Sequence, residues 1–140
     1  MSPTLPWGIV NAHEHFESRR EVGAYQKVMR ETGIAHAVLV GSPNYTLYLN
    51  PEMGFERYHE NNLEALEIQR QYPEQFSAFP TLNPLDPDND ERLERYLIEG
   101  ARGIKLYYGL GGSHGQGPFH AVPIDYAGMD RVFQLCQSLD

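Results

Sequence analysis

The chain has 140 residues, with 19 acidic against 11 basic, a formal net charge of −8 and one cysteine, Cys136. A surface that negative repels nucleic-acid phosphates and anionic lipid, and a lone cysteine rules out an intrachain disulfide and a cysteine-based zinc finger. No apolar run approaches the roughly 20 residues that span a bilayer, so neither nucleic acid nor membrane is an expected partner.

The opening stretch, "MSPTLPWGIVNAHEH", lacks the basic leader of a signal peptide. The expectation is one globular domain over residues 1–140, in the reducing setting of the cytoplasm. "GIVNA" is short, apolar and β-branched, and reads as a buried strand running into His13-Glu14-His15. Val22, Tyr25, Val28 and Met29 then recur at helical spacing, and Gly33 offers a left-handed stop. "AHAVLVGS" is the second strand, whereas "PNYTLYLNPEMGFERYH" has no clean period and reads as a loop. From Tyr58 a helix carries Leu63, Ala65, Leu66, Ile68 and Tyr72 on one stripe and ends before Pro73. "FSAFPTLNP" is the third strand. Asp88 and Glu91 have capping-box spacing at the start of the next helix, whose apolar face is Leu93, Tyr96 and Leu97 and whose stop is Gly100. "RGIKLYYG" is the fourth strand, and a last helix places Met129, Val132, Phe133 and Cys136 on one face. Four strands alternating with four helices predict an α/β fold of parallel βα units.

Side chains alternate along a strand, so His13 and His15 are expected on one side with Ile9 and Asn11, and Val10 and Ala12 on the helix-packed side. Two imidazoles at the C-terminal end of a parallel strand suit one divalent cation bound through nitrogen, at the strand end where α/β proteins carry their sites. Glu14 is expected to face away from the pair. In "GIKLYY", Lys105 shares a face with Gly103 and Tyr107. A lysine inside a strand is costly unless paired or modified. It is suited to ligating a metal as a carbamate, to acid–base work, to holding a substrate carboxylate, or to pairing with a neighbouring strand's carboxylate.

"GLGGSHGQGPFHAVP" has five glycines, but the third glycine of a G-x-G-x-x-G pattern falls at His114 and no G-K-[ST] is present. A mobile site loop, with His114 or His120 touching substrate, is expected in place of a phosphate cradle. His36 and His59 are read as structural.

A strand ending in "NAHEHF", followed by βα units and "GIKL" on the fourth strand, resembles the amidohydrolase superfamily of metal-dependent hydrolases, and most of all its branch that includes decarboxylases and lactonases. The resemblance implies the first half of a (β/α)8 TIM-type barrel with a divalent metal, zinc first, at its C-terminal mouth. His13 and His15 would be metal ligands, Lys105 a catalytic residue that some members carbamylate, and Tyr107, His114 and His120 contacts to a small-molecule substrate. The implied reaction is attack of metal-activated water on a C–N or C–O bond, with decarboxylation or lactone opening as alternatives. The family's later-strand histidines and its water-activating aspartate have no counterpart. The resemblance therefore leaves three expectations: a missing C-terminal half, a homo-oligomer that completes the core, or a non-catalytic module that binds or oligomerises.

Overall fold

A computed structural model describes residues 8–41, 57–82, 86–106 and 127–137. In chain order these form β1 (Ile9–Phe16), a 3-10 turn (Arg19–Glu21), α1 (Val22–Thr32), β2 (Ile34–Gly41), α2 (Tyr58–Gln71), β3 (Phe76–Phe79), β4 (Thr81–Leu82), α3 (Asn89–Ile98), β5 (Lys105–Leu106) and α4 (Ala127–Gln137). Every strand pair is parallel: β1, β2 and β3 make one ladder, β4 and β5 another. Helices return the chain between parallel strands, which is the βα alternation the sequence predicts. The long loop expected before α2 lies mostly outside the described residues.

The third predicted strand is split by its proline. Pro80 has no N–H to give a ladder, and the chain changes partner there, from β2 on one side to β5 on the other. Two bonds carry the sheet across the break: Arg102 N–H donates to the Ala78 carbonyl at 3.2 Å, and Lys105 N–H to that of Pro80 at 2.9 Å. Gly103 sits where a Cβ would come within 2.7 Å of the Phe79 ring, so any other residue there would push that ring aside.

Helix ends match the sequence at two glycines, Gly33 at φ 77° and Gly100 at φ 92°. The capping box does not form. Asp88 occupies the N-cap of α3 without a side-chain cap bond. Its own N–H instead donates to Asp86 Oδ1 at 2.9 Å, and its carboxylate lies 3.9 Å from Arg92. Arg92 also pairs with Asp86 at 2.9 Å, and the Tyr58 hydroxyl donates to the same carboxylate. Those three donors outweigh the burial that would raise the Asp86 pKa and hold it below its ordinary value.

The core gathers Phe16, Leu39, Leu66, Phe76, Ala78, Leu82, Leu93, Tyr96 and Val132, drawn from strands and helices alike. The buried face of α2 is unusual in carrying three amides, Asn61, Asn62 and Gln69. Each serves backbone that no ladder reaches. Asn62 receives the Thr81 N–H at 2.9 Å and donates to the Thr81 carbonyl at 2.7 Å, acting as a strand partner beside Pro80. Gln69 receives the Ala78 N–H at 2.8 Å and donates to the Gly100 carbonyl at 2.6 Å. Asn61 donates to the carbonyls of Phe16 and Glu17, where β1 ends. Among the described residues, no helix is long and apolar enough to cross a membrane.

Leucine in place of Asn62 would leave the buried Thr81 N–H and carbonyl without partners. Asn62→Leu is therefore expected to lower unfolding stability by about 2–4 kcal/mol in urea titrations. Gln71→Ala, which removes only an exposed bond to Glu67, should stay within about 0.5 kcal/mol of the parent; equal losses would refute the role given to Asn62.

Candidate metal centre

His13 and His15 converge. Their Nε2 atoms stand 3.1 Å apart at the C-terminal end of β1, with the rings edge to face. The protons on them are set by their other partners. His15 Nδ1 lies 3.0 Å from the Gly41 carbonyl, which accepts only, so Nδ1 carries the hydrogen and Nε2 keeps its lone pair. His13 Nε2–H then donates to that lone pair. With its hydrogen on Nδ1 instead, His13 would offer a second Nε2 lone pair, and a cation could stand between the two nitrogens. Two nitrogens at about 2.1 Å from one ion lie roughly 3.0–3.4 Å apart for bond angles between about 90° and 110°. The observed separation fits that span, and the His15 Nδ1–H bond to a carbonyl is the outer contact that turns a ligating imidazole toward its metal.

His13 titrates below its ordinary value. Partial burial is the first cause, then the charges of Lys105 and His15, against a smaller opposing pull from Glu14. The neutral form that can ligate is thus favoured. The same interaction relates Lys105 to the pair: from β5 its ammonium acts on the imidazole of β1. Among the described residues no third histidine, cysteine, aspartate or glutamate joins a cluster able to hold a metal. Tyr107, His114 and His120 lie outside the described residues, as does the Gly109–Pro123 loop.

Strict alternation along β1 fails at the site. β1 runs from Asn11 to Glu14 while β2 advances only from Ala37 to Leu39, so β1 carries an extra residue, a bulge. Asn11, expected beside the histidines, instead donates through Nδ2 to Glu14 Oε2 at 2.6 Å and accepts the His13 N–H at 3.1 Å. Val10 and Ala12, expected against helices, are exposed. The bulge shifts the pleat, and β1 is an edge strand with a partner on one side only among the described residues. Beyond the bulge, the Tyr25 hydroxyl of α1 donates to the His15 carbonyl at 2.7 Å. Burial, then the neighbouring Glu21, raises the Tyr25 pKa and keeps it a donor. Sequence reasoning missed Asn11, Glu14 and Tyr25 as site-shaping residues. An asparagine inside a strand, two residues before a histidine, was the available signal, since Asn is depleted in strands and closes local side-chain turns.

The other described histidines, His36 and His59, have structural partners. His36 Nδ1–H donates to the Glu74 carbonyl at 3.1 Å, and its Nε2 accepts from the Ser77 hydroxyl at 2.9 Å. Asn62 donates to the Tyr96 hydroxyl at 3.0 Å, and that hydroxyl shares a hydrogen bond of 2.8 Å with His59 Nδ1. A groove of about 430 Å3 opens between α3, β5 and α4, lined by residues such as Leu97, Ile104, Leu106, Val132 and Phe133; His13, His15 and Lys105 take no part in it.

The chain matches no protein-family model and no curated protein sequence. Solved structures do resemble it. The 2,6-dihydroxybenzoate decarboxylase from Rhizobium superposes with a TM-score of 0.69 at 21% identity, over 95% of this chain and 47% of that one. The 5-carboxyvanillate decarboxylase from Novosphingobium aromaticivorans, solved with manganese and 3-methoxy-4-hydroxy-5-nitrobenzoic acid, gives 0.60 at 17%, over 95% and 49%. A probable 2-pyrone-4,6-dicarboxylic acid hydrolase from Acinetobacter baumannii, with citric acid bound, gives 0.55 at 14%, over 95% and 47%. These neighbours are TIM-barrel enzymes of the amidohydrolase superfamily. At such identities the likeness is one of fold, and the chain has a partial TIM-barrel fold spanning about half the length of each.

His59, half-buried beside the Tyr96 hydroxyl, is biased toward its neutral form. Burial first, then Arg92 and Arg95, lower its pKa from the ordinary 6.5 despite Glu60 and Asp86. The unfolded chain therefore takes up the proton first, and the stability from neutral His59 is complete above the unfolded value and lost as pH falls through the folded one. A His59→Gln variant is expected to show a flatter fall in urea midpoint between about pH 7.5 and pH 5.5 than the parent. Parallel curves would contradict this.

Proposed function

We propose that the chain carries part of the active site of a divalent-metal-dependent enzyme of the amidohydrolase superfamily, acting on a small carboxylated compound. The observation that carries this is the approach of His13 Nε2 and His15 Nε2 to 3.1 Å at the mouth end of β1. His13 and His15 would hold the cation, His15 turned by the Gly41 carbonyl and tied down by Tyr25. When bound, the cation supplies Lewis acidity, polarising a carbonyl or carboxylate and making a water more acidic. Lys105, whose charge acts on His13, would hold a substrate carboxylate across the site or, as a carbamate, join the ligands. Tyr107, His114 and His120 would contact substrate. The remaining donors would come from residues outside the described segments or from a second chain.

Two chemistries fit this site. Hydrolysis of a C–N or C–O bond is one. Decarboxylation is supported equally, because structural neighbours named as decarboxylases stand beside one named as a probable hydrolase. Imidazole nitrogens suit zinc and manganese alike, and manganese is the ion present in two structures of one neighbour, the 5-carboxyvanillate decarboxylase.

Elemental analysis of protein purified without chelator or histidine tag tests the reading directly. His13→Ala and His15→Ala are each expected to lose tightly held zinc or manganese, while His36→Ala retains it. Equal loss from all three variants would sink the assignment. With the metal-loaded protein, release of CO2 from hydroxybenzoates would select decarboxylation, and ring opening of lactones or cleavage of amides would select hydrolysis. Tyr107→Phe, His114→Ala and His120→Ala should then raise KM more than they lower kcat; unchanged KM in all three would remove them from the substrate site.

A further inference from the structure

We infer that Asn11 and Glu14 form a clamp that positions the His13 and His15 imidazoles, and that metal affinity depends on it; the inference rests on the proposed metal site. In a regular strand, residues two apart stand about 6.6 Å apart along the chain. Nothing in the pleat alone brings two such ring tips to 3.1 Å. The structure supplies a local device at this point. β1 gains one residue over β2 between Asn11 and Glu14, and a bulge of this kind withdraws backbone from the ladder and re-aims the side chains beyond it.

Asn11 closes that bulge at two places. Its Oδ1 accepts the His13 N–H at 3.1 Å, and its Nδ2 donates to the Glu14 carboxylate at 2.6 Å. One amide thus joins the backbone of the first histidine to the side chain of the residue between the two. The second histidine is fixed separately, through Gly41 on the ring and Tyr25 on the carbonyl. His15 is therefore anchored to β2 and α1, while His13, on the exposed stretch of an edge strand, has its backbone N–H bond to Asn11 as a local restraint. Without that restraint the His13 ring would sample positions from which both nitrogens cannot reach one ion. Asn11 and Glu14 would touch neither metal nor substrate; they are positioning residues.

The test uses the full chain and two probes, zinc chloride and manganese chloride, titrated in competition with a metallochromic chelator. Asn11→Ala should weaken binding of both ions by about 10-fold or more, the range found when an outer contact to a metal ligand is removed. Glu14→Gln, which keeps an oxygen to accept from Asn11, should stay within about 3-fold of the parent. Nitrogen-15 spectra of the metal-free protein give the second readout. In Asn11→Ala the Nε2 signals of His13 and His15 should lose the signature of their shared hydrogen bond, while those of His36 on the adjacent strand stay in place. If Asn11→Ala fails to fold, Asn11→Asp decides: it keeps the acceptor for His13 N–H, loses the donor and sets a like charge against Glu14, and should show the same loss in part. Affinity for Asn11→Ala within about 2-fold of the parent would overturn the clamp. A parent that binds neither ion would instead overturn the metal reading, and the metal-free spectra would still decide whether Asn11 holds the two rings together.

Discussion

The row of amides on α2 is the constraint on which the rest depends. A strand interrupted by proline leaves N–H and carbonyl groups facing a dry interior, and each such group costs on the order of 1–3 kcal/mol when unpaired. Asn62 and Gln69 meet those groups at Thr81, Ala78 and Gly100, so the chain can change partner at Pro80 without losing its hydrogen bonds. That change of partner lets β5, with Lys105, run beside the sheet that holds β1 and β2. Asn61, on the same helix, finishes the end of β1 just after His15. One helix therefore sets the relation between the strand carrying the histidines and the strand carrying the lysine.

A gradient of restraint runs along β1 toward the site. At its far end Phe16 is fully buried and Asn61 holds its carbonyl. At its near end Ile9 and Val10 are 46% and 58% exposed. The histidine pair straddles the change, His15 on the anchored side and His13 on the looser one. A ligand that draws the two rings onto one point would pull the looser side toward the anchored side, so binding and local ordering of β1 belong to the same free-energy balance.

Much of the architecture was legible in the sequence. The alternation of β-branched runs with helical stripes gives parallel βα units, and Gly33 and Gly100 stop their helices where a left-handed residue is needed. His-x-His at a strand end was legible as well, because spacing alone brings two imidazoles to one neighbourhood. The shape of the site was not. Period-two reasoning puts Asn11 with the histidines and Glu14 opposite, and a one-residue bulge undoes the first placement by setting Asn11 against Glu14; whether a strand bulges depends on its register with a neighbour, which no local pattern encodes. Asn61, Asn62 and Gln69 look like solvent-facing residues of an ordinary helix. Their burial answers unpaired backbone in other segments, at the proline break and at the end of β1, a relation between segments and not within one. Asp88 and Glu91 satisfied a capping pattern, yet Asp86 took the available N–H first.

The exposed flank of β1 has a colloidal consequence. "IVNA" is a short β-prone run at what is, among the described residues, a sheet edge, the kind of template on which another chain can add a strand. The adjoining "HEHF" brings three polar side chains and a bulge, and both features discourage such addition. The residues that gather nitrogen donors thus also act as gatekeepers of the edge. Apolar replacements there would extend a sticky strand while removing both imidazoles, so a precipitating histidine variant would report on the edge as much as on the histidine pair.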